Sequence, residues 1–378
     1  MKKHLVLAML GGLLAAASAA QAQDVKVGLV APLSGPAAAY GKDVQSGASL
    51  AVEEINAAGG IGGRKLVLVD GDDQGSPKDA ANVAQSFVSD PDVVALVGGA
   101  TSTATFGSAP VAQRGKLPFL ITLATHPDLT KEGDYIFRNS TTQEAEGPAL
   151  GRLVSTCLGA KSVAIVHLNN DWALAMTSQF KKALASNGVA VTAEESYDSG
   201  SIDFTAVLAK AKSSNPDAIW FGSQYDDLAL VLKQAQRSGF GKIPLIGSSG
   251  AHSTGLIDVA GLAANGLYLH TLFFPSSADP KVTSFMEKFR QKFNQDPNLF
   301  SVQAYDGMHI LAEAIKAGDF KRDGIRQALL DMKPYQGIGG AISFDPKTRE
   351  ALGKVFTPLV VKDQKFSVWE ECRAKLSN

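Results

Sequence analysis

The chain has 378 residues, with 36 basic side chains against 37 acidic ones and a formal charge of −1. That balance leaves no basic face for nucleic acid and no acidic excess of the kind that keeps a chain unfolded. The length predicts two domains, and 45% hydrophobic residues suffice to give each its own core.

The N-terminus reads as an address. Met1-Lys2-Lys3-His4 is basic, an apolar run follows over 5–14, and Ala20-Gln21-Ala22 has the small-x-small pattern of a cleavage site. This order predicts a secretory signal peptide over 1–22, with the mature chain beginning near Gln23. The apolar run falls short of the roughly 20 residues that span a bilayer, so no membrane insertion of the mature chain is expected. Lys2 and Lys3 lack the twin-Arg pattern, which favours the general export route. In an oxidising compartment Cys157 and Cys372 are either a disulfide or two separate buried thiols.

From residue 25 on, short apolar runs alternate with helical patterns. The runs at 25–31, 65–70, 94–98 and 118–122 are bounded by Gly, Pro or Asp, as parallel strands buried on both faces should be. Between them, Val44, Ala48, Ala51, Val52 and Ile55 share one helix face, and Ala58-Gly59-Gly60 ends that helix. Ser76-Pro77 starts the next, turning Ala80, Val83, Ala84 and Phe87 inward. The rhythm restarts after Thr141, with strands expected at 162–167, 189–193, 218–222 and 243–247 and helices at 171–186 and 227–237. Two further stripes, Val282/Phe285/Met286/Phe289/Phe293 and Val302/Tyr305/Met308/Ala312/Ile315, read as helical core. The alternation predicts an α/β fold with parallel sheets covered by helices on both sides.

Enzyme signatures do not emerge. The turn after the first strand reads Ala31-Pro32-Leu33-Ser34-Gly35-Pro36, which is no dinucleotide fingerprint. Gly59 to Gly63 follow a helix instead of opening one, and Gly247-Ser248-Ser249-Gly250 lacks the spacing of a nucleophile elbow. The six histidines stand singly, so neither a metal nor a cofactor is expected.

Several blocks carry a resemblance. Residues 27–35 (Val-Gly-Leu-Val-Ala-Pro-Leu-Ser-Gly) with Tyr40-Gly41 resemble the opening of the branched-chain amino-acid-type solute-binding proteins of ABC importers. Ala51-Val52-Glu53-Glu54-Ile55-Asn56, Gly59-Gly60-Ile61-Gly62-Gly63-Arg64, Asp72-Asp73, Tyr305-Asp306 and Phe344-Asp345 extend the likeness along the mature chain. The resemblance implies the type I periplasmic binding fold: two doubly wound parallel-sheet lobes joined by three crossovers. Lobe 1 would hold 24–141 and 271–343, lobe 2 would hold 142–270 and 344–378, and the return would bring Cys372 into the lobe of Cys157. A loop disulfide known in some relatives is absent, because Gly75 and Thr101 hold those positions. The implied protein works in the periplasm as a monomer. It binds a small-molecule ligand and hands it to an inner-membrane ABC permease.

In open α/β sheets, ligands sit beyond the carboxyl ends of the strands. The strand at 94–98 runs into Gly99-Ala100-Thr101-Ser102-Thr103 and a helix, a natural carboxylate seat unless Ser102 or Thr103 merely caps that helix. By position in the family, Ser102, the Leu123 backbone and Thr125 bind the anion, while Tyr40 and Trp172 wall the cleft. Amino-acid binders also need a buried carboxylate for the α-ammonium. The family position for it is Ser249 here, and an accompanying tyrosine is replaced around Gln224, beside Tyr225 and Asp226. Asp226 reads as the missing charge or as the N-cap of a helix starting at Asp227, and the cap is the favoured reading. The expected ligand is therefore an organic carboxylate without an α-amino group, aromatic ones included, with branched-chain amino acids as the alternative. His126, His252, Gln224 and Ser249 are candidates for its polar far end, each histidine equally readable as a surface or loop residue.

Overall fold

The computed structural model describes residues 23–240, 242–275 and 279–377; the expected signal peptide at 1–22 lies outside them. The first sheet contains β1 (Val25–Ala31), β2 (Leu66–Asp72), β3 (Val93–Gly98), β4 (Phe119–Ile121) and β5 (Ile136–Arg138). All its pairings are parallel, in the order β2-β1-β3-β4-β5. Strands β4 and β5 are buried throughout, and β1 and β3 at all but one residue each, as helices on both faces require. Gly98, opposite Val30, has φ +121°, and a Cβ there would stand 2.2 Å from the Val30 carbonyl oxygen. Only glycine lets β3 turn so close beneath β1.

Helices α1 (Ala38–Ala57), α2 (Pro77–Ser89) and α3 (Ser102–Arg114) cover this sheet. Ser76 caps α2 by accepting the Asp79 N–H at 3.4 Å, with Pro77 as the first helical residue. The cap of α3 is Thr101, whose hydroxyl accepts the Ala104 N–H at 3.3 Å. The expected alternative, a cap at Ser102 or Thr103, is thereby corrected: the cap falls one residue earlier and leaves Ser102 inside the helix.

Helix α4 (Gln143–Arg152) and a π-helical turn (Leu153–Cys157) carry the chain to the second sheet. There β6 (Ser162–Leu168), β7 (Ala190–Tyr197), β8 (Ala218–Gly222), β9 (Leu245–Gly247) and β10 (Leu267–Thr271) pair in parallel. Between them run α5 (Asp171–Ser186), α6 (Thr205–Ser213), α7 (Tyr225–Arg237) and α8 (Thr254–Ala260). The chain then returns to the first lobe with α9 (Pro280–Phe293), α10 (Leu299–Ala317) and α11 (Arg322–Leu330), α10 lying against α1. Of the two stripes, Val282, Phe285, Met286, Phe289, Val302, Tyr305, Met308 and Ile315 are buried, while Phe293 and Ala312 are half-buried.

A small antiparallel sheet follows, β11 (Tyr335–Gly337), β12 (Gly340–Phe344) and β13 (Ala351–Leu352). Phe344 pairs with Ala351 and packs its ring on Phe137 of β5, so this stretch stays beside the first lobe. The strand that rejoins the second sheet begins at Thr357: β14 (Thr357–Lys362) and β15 (Lys365–Val368) add to β10 antiparallel. Helix α12 (Glu370–Ser377) closes the chain, and its Cys372 is bonded to Cys157, with Cα atoms 4.9 Å apart. Of the two readings of the cysteines, the structure has the bridge. Two α/β lobes, crossed three times by the chain, are the result.

Candidate functional site

Between the lobes lies a cavity of about 390 Å³, a size usual for small-molecule sites. The first lobe contributes the start of α3, the turn after β4, Tyr40, and Leu299-Phe300 at the start of α10. The second contributes Trp172, Gln224, Asp226, Asp227, Ser249 and Gly250. The carboxyl ends of strands from both sheets thus meet there, as the topology demands.

Of the expected contacts, Tyr40, Ser102, Leu123, Trp172, Gln224 and Ser249 line the cavity. Ser102 is 1% exposed and its hydroxyl has no hydrogen-bond partner among the described residues, at the positive end of α3. Gln224 Oε1 is likewise buried without a partner, pressed against Gly250. One wall therefore offers a donor to an anion and the opposite wall an acceptor to a donor.

Thr125, His126, Tyr225 and His252 stand outside the cavity lining. The Thr125 hydroxyl accepts the Trp172 indole N–H at 3.1 Å and so holds the aromatic wall in place. His126 packs edge-on against Phe106, its Nδ1 accepting the Asp128 N–H at 3.2 Å, and burial lowers its pKa. The buried Arg138 reaches under this turn to the carbonyls of Ala124 and His126, at 2.8 and 3.0 Å, while pairing with Glu350. Tyr225 lies behind Tyr40, ring edge to ring face at 5.3 Å. His252 is buried against Thr271 (3.0 Å), and burial lowers its pKa to about 4.

Asp226 is the main correction. Helix α7 begins at Tyr225 with Gln224 in the cap position, so Asp226 is a first-turn residue and not an N-cap. Its carboxylate faces the cavity and accepts the Tyr40 hydroxyl from the opposite lobe. Asp227 lines the cavity beside it; burial, then the charge of Asp226, pushes its carboxyl up to about 6. Among the described residues, two carboxylates and no lysine, arginine or histidine line this cavity. The start of α10 escaped the sequence reading, although Asn298 before Leu299-Phe300 is a recognisable helix cap.

The lobes are closed on each other. Thr103 donates to Asp171 at 2.9 Å across the mouth, beside the Tyr40–Asp226 and Trp172–Thr125 links.

A family model described as periplasmic binding protein matches residues 24–363. The chain belongs to the periplasmic binding protein family. Among the relatives of this periplasmic binding protein is the leucine-, isoleucine-, valine-, threonine- and alanine-binding protein of Pseudomonas aeruginosa, 30% identical, covering 86% of this chain and 87% of its own. A branched-chain amino acid transporter substrate-binding protein of Streptococcus pneumoniae, solved with isoleucine, is 31% identical with a TM-score of 0.84, over 91% of this chain and 98% of that one. A solute-binding protein of an ABC transporter from Rhodopseudomonas palustris, solved with 3,4-dihydroxybenzoic acid, is 25% identical with a TM-score of 0.82, over 90% and 93%. The protein is accordingly a solute-binding protein of the ABC transporter type and not an enzyme. No helix among the described residues is long and apolar enough to cross a membrane.

Proposed function

We propose that this protein receives a small amphoteric, amino-acid-like solute between its lobes and delivers it to an inner-membrane ABC permease. The carboxylate would sit on the Ser102 hydroxyl and the start of α3, with the Leu123 backbone beside it. The ammonium would face Asp226 and Asp227, and the apolar body would lie among Tyr40, Trp172 and Phe300. The observation that carries this reading is the charge of the lining, two carboxylates with no cationic side chain among the described residues. A buried acid pair favours a ligand that brings positive charge to it. Closure follows because only the closed form lets both lobes touch the ligand. Export through residues 1–22 and action as a monomer belong to the same proposal.

The organic-carboxylate reading keeps one supporting observation: Ser249, not an acid, stands at the family's ammonium position. An aromatic acid with hydroxyl groups could donate to Gln224 and the aspartates in place of an ammonium. Thermal-shift and calorimetric titrations with L-isoleucine, 3,4-dihydroxybenzoate and benzoate separate these, since a ligand selective for the native state raises its stability. Isoleucine is expected to bind. Binding of benzoate alone would overturn the amphoteric reading.

A further inference from the structure

Behind the Ser249 wall lies a buried acid outside the cavity lining. Glu146, on α4, is 1% exposed. Its Oε1 accepts the Ser249 N–H at 3.1 Å and lies 3.0 Å from Nε2 of His270. Its Oε2 is buried with no hydrogen-bond partner among the described residues. Burial acts to raise the Glu146 pKa, but the hydrogen bond and charge of His270, with the Ser249 side chain and N–H, outweigh it and leave the pKa lowered. The carboxylate is therefore held ionised in a place where an isolated charge would be costly.

His270 is 2% exposed near the end of β10, and its ring stacks on Phe356 with centroids 4.4 Å apart. These residues mark the three passages between lobes. Glu146 follows the first within the opening turns of α4, His270 precedes the second, and Phe356 comes immediately before β14, where the third lands. One buried pair thus stands beside all three passages between the lobes and also holds the backbone of a residue lining the cavity.

We infer that Glu146 is a positioning residue for the ligand site. It fixes the backbone at Ser249-Gly250 and ties that part of the wall to the hinge through His270. When the passages bend, His270 shifts against the carboxylate, and the wall moves with the hinge instead of independently of it. The consequence for ligand rests on the cleft reading proposed above; the coupling of wall to hinge does not.

The test is amide hydrogen exchange on the full, ligand-free chain. Glu146→Ala should speed exchange at Ser249 to Ala251 roughly 10- to 100-fold, the size of one lost charge-assisted hydrogen bond, while β6 and β8 keep their protection. Glu146→Gln keeps an acceptor oxygen and should restore most of that protection. His270→Phe keeps the stack on Phe356 but removes the imidazole, and should give a smaller, local acceleration at the same amides. Unchanged exchange at Ser249 in Glu146→Ala, or equal acceleration across the second lobe, would overturn the proposal. If Glu146→Ala fails to fold, Glu146→Gln and His270→Phe decide it, and no effect of His270→Phe at Ser249 would sink the link to the hinge. With L-isoleucine as probe, Glu146→Ala should also bind roughly tenfold more weakly. An isoleucine that does not bind the parent protein would count against the proposed ligand and leave the exchange result standing.

Discussion

The Tyr40 hydroxyl donates to the Asp226 carboxylate across the cleft, one residue on α1 and the other in the first turn of α7. The acid proposed to meet the ligand's ammonium is therefore already engaged by the opposite lobe, so ligand and closure share one anchor. Asp226→Asn should weaken isoleucine binding by about 30- to 100-fold, the worth of a hydrogen bond to a charged group, with little change in melting temperature. Calorimetry on parent and variant checks this. A carboxylate ligand lacking a donor would instead bind the variant as well or better.

Trp172 is 8% exposed, lines the cavity and donates its indole N–H to Thr125 of the other lobe. Its fluorescence should therefore report closure. Ligand addition is expected to change the emission of the parent protein, and Trp172→Phe should abolish most of that change while Trp220 and Trp369 still emit. A signal that survives the substitution would place the reporter elsewhere.

Asp43 of α1 lies buried between the lobes, accepting from the Asn298 side chain at 2.7 Å, with the Tyr225 hydroxyl 3.5 Å away. Burial pushes its carboxyl up to about 6 despite those donors. A folded-state value above the unfolded one means the native protein holds an extra proton between about pH 4 and 6. This group's contribution to stability is thus full below about pH 4 and lost as the pH rises through 6. Asp43→Asn cannot ionise, so its stability relative to the parent should improve by about 2–3 kcal/mol from pH 4 to pH 7. Urea denaturation of both proteins at the two pH values measures the difference.

The Cys157–Cys372 bridge joins residues 215 apart. Constraining so long a loop in the unfolded chain is worth up to roughly 5 kcal/mol in the chain-entropy picture. Reduction, or Cys157→Ala with Cys372→Ala, should lower the denaturation midpoint substantially while leaving ligand affinity nearly unchanged, because the bridge stands apart from the cavity lining.

Much of this was legible beforehand where local chemistry decides the outcome. Ser76-Pro77 reads as a helix start, and the apolar run of β1 suits a strand buried on both faces. That the turns holding Ser102 and Leu123 border the cleft accords with topology, since parallel strands present their carboxyl ends there, while the choice of these residues came from the family resemblance. What stayed hidden depends on partners distant in sequence. Asp226 has the side chain of a good helix cap, but Gln224 takes that position with no side-chain cap bond, and the acid turns to Tyr40, 186 residues away. Thr125 looked like an anion ligand by position, yet its hydroxyl serves the Trp172 indole from the other lobe. Neither pairing leaves a local trace.

The same bridge bears on how the protein meets proteases. The second and third passages between the lobes, beyond Thr271 and before Thr357, both fall between Cys157 and Cys372, whereas the first, before Gln143, falls outside. A single cut in either enclosed passage leaves two pieces still covalently tied, able to hold their lobes together and to be rejoined in function by noncovalent packing. A cut in the first passage severs the chain outright. Limited digestion would thus give fragments that part on a gel only after reduction in the first case, and without it in the second.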